Sequence, residues 1–167
     1  MTVPAPRDSE NIPLPDVSKA SMPRRRHANR IVAMQYLYLW DVVRPENLAE
    51  SVRLFLKAHA AELPEDHLSF ARELVHGVVE HIDEIDEAIR TYAQNWSFSR
   101  ISKVDLAILR AATYEITRRN DIPPVVTINE AIELSKEFSA AESKRFINGV
   151  LDRLREATGR PSREAIK

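Results

Sequence analysis

From residue 27 to residue 157, apolar side chains recur every three or four residues almost without interruption. This spacing marks one face of an α-helix, and no stretch alternates apolar and polar residues as a half-buried strand does. The chain contains only three glycines among 167 residues, so few positions suit hairpin turns or phosphate-cradling loops. The sequence therefore predicts an all-α protein without a glycine-rich nucleotide site.

The periodic pattern divides into about seven helices, which prolines and capping residues separate. Their predicted ranges are 27–43, 46–60, 66–80, 83–95, 102–116, 127–138 and 142–157. Ser102 is predicted to cap the fifth helix, and Thr127 with Glu130 matches a capping box that opens the sixth. Gly149 in the seventh helix is expected to permit close contact with another helix. One apolar seam of the fourth helix is expected to face a partner helix, and it consists of Ile82, Ile85, Ile89, Tyr92 and Trp96.

The two ends of the chain differ from this helical region. Residues 1–23 hold five of the ten prolines and show no apolar periodicity, which predicts a disordered arm. Residues 24–160 are predicted to form one helical domain, and residues 161–167 a flexible tail. No apolar run approaches a membrane span and the amino terminus lacks an apolar signal core, so we expect a cytoplasmic protein.

Charge is unevenly distributed along the chain, although the formal net charge is −1. Residues 1–40 carry a balance of +3 and residues 144–167 a balance of +4, whereas residues 41–91 carry −7. A chain with basic ends and an acidic centre is able to present one face to a polyanion and another to a basic partner.

Residues that usually build catalytic or metal sites are scarce. No cysteine is present, which excludes disulfides, thiolate metal sites and a cysteine nucleophile. Glu73 and His76 match one Glu-x-x-His element of a di-iron bundle, but such a centre needs a second copy, which the sequence lacks. No serine or threonine lies in a nucleophile-elbow context. We therefore expect no metal, no cofactor and no enzyme activity.

A cluster of arginines stands where the arm meets the first helix. Four guanidinium groups fall within seven residues, at Arg24, Arg25, Arg26 and Arg30. Arginine donates paired hydrogen bonds to phosphate and stacks on bases, and the amide and aromatic groups that follow suit single-stranded RNA. Those groups are Gln35, Tyr36, Tyr38 and Trp40. The alternative interpretation is a solvated arm with its aromatic residues in the core, which we favour for Trp40 and leave open for Tyr38.

Three stretches of the sequence carry an extended pattern. The longest runs from Thr127 to Phe138 (TINEAIELSKEF) and continues from Lys144 to Asp152 (KRFINGVLD). The second is ILRAATYEI in the predicted central helix, and the third is RRRHANR followed by QYLYLW. Together, over about residues 24–155, they resemble the transcription antitermination factor NusB family. Two departures are an arm longer than the family usually has and Ser139, which stands where a glycine is common.

The resemblance implies an all-α fold of two packed helical subdomains and no catalytic site. It also implies binding of the single-stranded box A element of nascent RNA, as a heterodimer with the ribosomal protein NusE in antitermination complexes on RNA polymerase. By position, the RNA-binding residues are expected to be Arg24, Arg25, Arg26, Arg30, Gln35, Tyr38, Lys144, Arg145 and Phe146. Asp105 and Glu142 stand at acidic positions that are expected to contact the protein partner.

Two other functions stay open on the sequence. A helical adaptor without RNA specificity would use the acidic stretch 41–91 as its main surface. A NusB-like targeting domain of an enzyme that modifies ribosomal RNA would need its catalytic part from elsewhere. The sequence also leaves open whether the free protein is a monomer or a homodimer.

Overall fold

The structure, a computed structural model, describes residues 21–59, 65–161 and 163. These residues form seven α-helices and no strand, which confirms the all-α prediction for the part of the chain described. The helices are α1 (Met22–Val43), α2 (Leu48–His59), α3 (Ser69–Glu80), α4 (Ile82–Tyr92), α5 (Lys103–Arg118), α6 (Pro124–Phe138) and α7 (Ser143–Thr158). None of the described helices is long and apolar enough to cross a membrane.

The helices pack in two groups that share α5. One group contains α1 and α3, the other contains α4, α6 and α7, and α5 contacts all five. Eleven of the sixteen residues of α5 are buried, so it is the central helix that its apolar sequence predicts. The core is continuous from Leu37 in α1 through Leu109 in α5 to Leu151 in α7. This arrangement agrees with two subdomains that are packed on a common core.

Helix α1 begins at Met22, two residues before the predicted start of the domain at residue 24. It ends where Arg44 adopts a left-handed conformation (φ 49°) before Pro45, because proline disfavours helical geometry in the preceding residue. The arm 1–20, the segment 60–64 and the terminal residues 164–167 lie outside the described residues.

The two predicted caps have different outcomes. The Ser102 hydroxyl accepts a hydrogen bond from the backbone N–H of Asp105 at 3.1 Å, so this cap is confirmed. The capping box at Thr127 is wrong, because α6 begins three residues earlier, at Pro124. Proline is well suited to the first turn of a helix, where its missing N–H has no helical partner. Thr127 is instead buried, and its hydroxyl donates to Glu115 at 3.3 Å.

The seam of α4 is shorter than predicted. Ile85 and Ile89 are buried, but the helix ends at Tyr92, and Trp96 is 54% exposed. Gln94 has a φ of 49°, which turns the chain out of the helical path before Trp96 is reached. The prediction that Trp96 packs on the seam is therefore wrong.

The close helix contact forms at Gly77 and not at Gly149. A Cβ atom on Gly77 would lie 2.2 Å from the Tyr114 ring, so α3 and α5 approach there only because no side chain intervenes. The three atoms nearest to a Cβ on Gly149 all belong to the guanidinium of Arg153, a residue of the same helix, the closest at 3.3 Å.

Two buried side chains complete the ends of helices far away in sequence. Asn29 in α1 accepts a hydrogen bond from the backbone N–H of Ala71 at 2.9 Å and so caps the start of α3. Arg160, which follows α7, donates to the carbonyl oxygens of Ile116 and Ile122 at 2.7 and 2.9 Å. The Ala71 N–H and the Ile116 carbonyl are backbone groups that a helix end leaves without partners, whereas Ile122 lies in the connection between α5 and α6.

Candidate nucleic-acid interface

The first turn of α1 carries three consecutive arginines. This turn contains Pro23 and no acidic residue. Arg24 is exposed, whereas Arg25 and Arg26 are half-buried. Cations at a helix start oppose the helix dipole, so this arrangement costs some stability, but the same positive end and the free N–H groups attract an anion.

Arg24 and Arg26 differ in how firmly the protein holds them. Arg24 has no ion pair with any described residue. The Arg26 guanidinium lies 5.1 Å from the centre of the Phe70 ring and 3.7 Å from the Asp121 carboxylate. Hydrogen bonds from Arg119 lower the pKa of Asp121 to about 2, so that carboxylate is ionised at neutral pH. Arg24 is thus the freer of the two cations.

Arg30 does not belong to this surface, which corrects the expectation that it contacts RNA. Its side chain is only 4% exposed, and its Nε and Nη2 donate to the two carboxylate oxygens of Glu115 at 2.9 and 2.6 Å. Glu115 is itself 2% exposed. Glu115 occupies the donors of Nε and Nη2, and burial closes the rest of the guanidinium off from solvent, so a phosphate does not reach Arg30 in this arrangement.

Arg30 lies at the centre of a set of polar residues that joins α1 to α5 and α6. We call this set the Arg30 cluster (His27, Arg30, Glu115, Thr127 and Glu130). Glu130 in α6 lies 2.7 Å from His27 Nδ1 and 3.6 Å from Arg30 Nη1. The cluster therefore fixes the orientation of the first turns of α1, where the exposed arginines stand.

A second set, the Arg110 cluster (Asp41, Asp86, Lys103 and Arg110), holds the other half of α1. Arg110 donates from Nε and Nη2 to Asp86 at 2.8 and 2.9 Å, and from Nη1 to Asp41 at 2.9 Å. Lys103 Nζ lies 2.5 Å from Asp41. Burial raises the pKa of Asp41, but hydrogen bonds from Lys103, Arg110 and Arg44 outweigh burial and hold this pKa well below its usual range.

The two residues predicted to contact RNA further along α1 differ in accessibility. Tyr38 is 45% exposed, whereas Gln35 is half-buried. Trp40 is buried, as favoured from the sequence, and the Arg44 guanidinium lies 3.8 Å from its ring centre. Tyr38 is thus the aromatic group of this stretch that the protein leaves open to a ligand.

A second group of cations stands at the start of α7. Lys144 and Arg145 are exposed and form no ion pair with any described residue, and Phe146 beside them is half-buried. Glu142, immediately before the helix, is exposed and does not cap it. The first turn of α7 therefore presents positive charge and part of an aromatic ring to solvent.

Asp105 is not an exposed partner contact, which corrects the second expectation about site residues. It is 7% exposed, and its carboxylate accepts hydrogen bonds from the hydroxyls of Ser139 and Ser143 at 2.5 and 2.8 Å. Asp105 thereby joins the start of α5 to the turn between α6 and α7. Ser139 supplies a hydroxyl to this network that a glycine would lack.

A groove lies between the starts of α5 and α7, with a volume of about 430 Å³. Trp96 forms one wall, and its ring centre is 5.1 Å from that of Phe146. The surface position of Trp96 was not predicted from the sequence. The available signal was the polar pair Gln94-Asn95 before it, which interrupts the apolar spacing of α4.

Comparison with known proteins identifies the family. Residues 27–156 match the model of the NusB family. The transcription antitermination protein NusB of Geobacter sulfurreducens is 46% identical over 129 residues, which are 77% of this chain and 92% of that protein. NusB of Thermodesulfovibrio yellowstonii is 41% identical in an alignment of 138 positions that covers 78% of this chain and 91% of that protein.

The chain belongs to the NusB family. Among solved NusB structures, that of T. maritima has a TM-score of 0.70 and 34% identity, covering 78% of this chain and 90% of that chain. A structure of the antitermination factors NusB and NusE in complex with dsRNA has a TM-score of 0.71 and 28% identity, and the match covers 80% of this chain and 98% of that chain. The NusB family match begins at His27, so the first turn of α1 precedes it, whereas the start of α7 lies within it.

Proposed function

We propose that this NusB-family chain is a cytoplasmic transcription antitermination factor. It binds the single-stranded box A element of nascent RNA together with NusE, promotes processive transcription by RNA polymerase, and has no catalytic activity of its own. The observation that carries the proposal is that Arg24 at the start of α1 and Lys144 and Arg145 at the start of α7 are exposed, with no ion pair among the described residues, in a chain of this family. The structure of NusB and NusE in complex with dsRNA among the solved relatives supports the part of the proposal that concerns NusE and RNA, and the single-stranded box A element rests on the family resemblance.

The proposed RNA contacts are the predicted residues that remain accessible. Arg30 is removed because it is buried against Glu115. Glu142 is retained as the proposed contact with NusE, whereas Asp105 is assigned to the network that joins α5 and α7. The proposed RNA contacts are Arg24, Arg25, Arg26, Gln35, Tyr38, Lys144, Arg145 and Phe146.

The central test is a titration of fluorescent box A-like RNA, with and without NusE, followed by anisotropy. We expect tighter binding to this RNA than to a scrambled strand or to the same sequence in a duplex. Arg24, Lys144 and Arg145 are the three cations of this set that the protein leaves without an ion pair among the described residues. If these three contact phosphates of a single strand, log affinity falls against log salt with a slope of about −2, from roughly 0.7 per contact.

Two single substitutions give a matched control. Arg24→Ala removes an exposed arginine inside the proposed surface, and Arg53→Ala removes an exposed arginine on α2, outside it. We expect only the first to weaken RNA binding and to reduce the salt slope by about 0.7. Equal effects of the two changes, or equal affinity for all three RNAs, would leave a nonspecific electrostatic binder. Binding of NusE without any binding of RNA would favour a protein-interaction adaptor.

A further inference from the structure

Trp96 is a large aromatic side chain that the fold holds at the surface. It is 54% exposed, and it lies in the short connection between α4 and α5, after the left-handed turn at Gln94. The connection ends at the Ser102 cap of α5, so the chain is fixed on both sides of the tryptophan. An aromatic ring kept in water by ordered backbone is typical of a binding surface.

The exposed ring has an aromatic neighbour from another helix. The ring centres of Trp96 and Phe146 are 5.1 Å apart with an interplanar angle of 46°. The two rings therefore stand beside each other as tilted plates at the groove between α5 and α7. Ile101, Val104 and Phe138 complete the apolar lining of this groove. Its volume, about 430 Å³, is within the range of about 300–1,000 Å³ that small-ligand sites have.

The charges around the groove favour an anionic occupant. Arg100 lines the groove, and Lys144 and Arg145 stand next to Phe146 on α7. All three are exposed and have no ion pair among the described residues. Glu142 also lines the groove and is exposed, and Asp105 is buried against two serines, so the three cations outnumber the one exposed carboxylate of the lining. A nucleotide would place its flat ring in the groove and its phosphate near these cations.

The groove is also continuous with the surface that the proposed function uses. Phe146, which lines the groove, and Lys144 and Arg145 beside it belong to the proposed RNA contacts. Resting on the proposed RNA binding, we infer that the Trp96–Phe146 groove is a stacking slot for one unpaired nucleobase, with Arg100 binding an adjacent phosphate.

The test compares three proteins with different side chains at residue 96. Trp96→Leu keeps apolar volume but removes the aromatic face, and Trp96→Phe restores an aromatic face. We expect Trp96→Leu to weaken binding of box A-like RNA by about tenfold, within the roughly 5- to 150-fold range for loss of one stacked base. Trp96→Phe is expected to retain most of the affinity. Leu54→Ala, at an exposed apolar residue of α2 outside the groove, is the control and should bind RNA as the wild type does.

A scan of the RNA identifies the stacked base. Each base of the strand is replaced in turn by an abasic site, and binding is measured to the wild type and to Trp96→Leu. One abasic position should weaken binding to the wild type but cause no further loss in Trp96→Leu. Binding of RNA should also quench tryptophan fluorescence. The chain has two tryptophans, and because Trp40 is buried, the quenching reports mainly on Trp96.

Three outcomes would overturn the inference, and each has a distinct meaning. Wild-type affinity in Trp96→Leu, with Arg24→Ala still defective, rejects the slot but leaves the proposed function intact. Loss of NusE binding with unchanged RNA binding assigns the groove to a protein partner. A wild-type protein that binds no RNA, with or without NusE, rejects the proposed function and the slot together.

Discussion

The Arg30 cluster and the Arg110 cluster both attach α1 to the rest of the fold by burying an arginine among carboxylates. In the first cluster the arginine belongs to α1, and its one bidentate partner, Glu115, belongs to α5. In the second the arginine belongs to α5, and Asp86 in α4 and Asp41 in α1 both accept its hydrogen bonds. Arg110 therefore has a reserve carboxylate at hydrogen-bond distance, whereas the second carboxylate near Arg30 stands 3.6 Å away.

The largest effect is expected from removing the carboxylate that Arg30 depends on. Glu115→Ala leaves a buried guanidinium with no charged partner closer than Glu130, and breaking a buried ion pair in this way costs about 3–5 kcal/mol. Urea unfolding measures this loss.

The double variant Arg30→Met with Glu115→Leu is the control for the Arg30 cluster. Because it removes both charges and restores apolar volume, it should be far more stable than Glu115→Ala. A double variant as unstable as the single one would mean that the cluster acts through packing and not through charge.

A smaller effect is expected from the equivalent change in the Arg110 cluster. Asp86→Ala leaves Arg110 with Asp41, so we expect a loss of about 2 kcal/mol, near the cost of losing hydrogen bonds to a charged group. Asp86→Asn keeps one acceptor and should lose less. If Asp86→Ala destabilises the protein as much as Glu115→Ala does, the reserve carboxylate has no protective effect.

The smallest effect concerns pH and Asp41. Because the pKa of Asp41 is lower in the folded protein than its unfolded value of about 3.9, its ionised form contributes stability that is fully present above that value. The contribution is lost as the pH falls through the folded-state pKa. We expect the stability difference between the wild type and Asp41→Asn to be largest near neutral pH and to shrink below about pH 4.

Urea unfolding of both proteins across this range measures the difference. Asp152→Asn, at an exposed residue of α7, provides the reference. A difference between the wild type and Asp41→Asn that stays constant down to the acid limit would show that the charge of Asp41 is not what stabilises the cluster.

Much of the fold is predictable from the sequence because the determining signals are local. The apolar spacing locates seven helices, and Ser102 caps α5 through a bond to a residue three positions away. The prediction at Thr127 failed because two signals competed within four residues, and Pro124 began the helix first. The contact at Gly77 was not predictable, because it depends on Tyr114, a residue on another helix.

In the candidate site, too, local features were predictable, and contacts between residues distant in sequence were not. Arg24, Tyr38, Lys144 and Arg145 are exposed as their predicted roles require. Arg30 was misplaced because an arginine looks alike in sequence whether it faces water or a buried carboxylate, and its partner lies 85 residues away. Asp105 was misplaced for the same reason, since its serine partners come from the turn between α6 and α7.

The position of Arg160 bears on the order in which the molecule is built. Its guanidinium completes the carboxyl end of α5, the helix on which both groups of helices pack. During synthesis the chain emerges from its amino terminus, so α1 to α5 are all made before this arginine exists. Until residue 160 has been added, the Ile116 carbonyl lacks this partner and is left to water. We therefore expect the carboxyl end of α5 to acquire this hydrogen bond only after α7 has been translated.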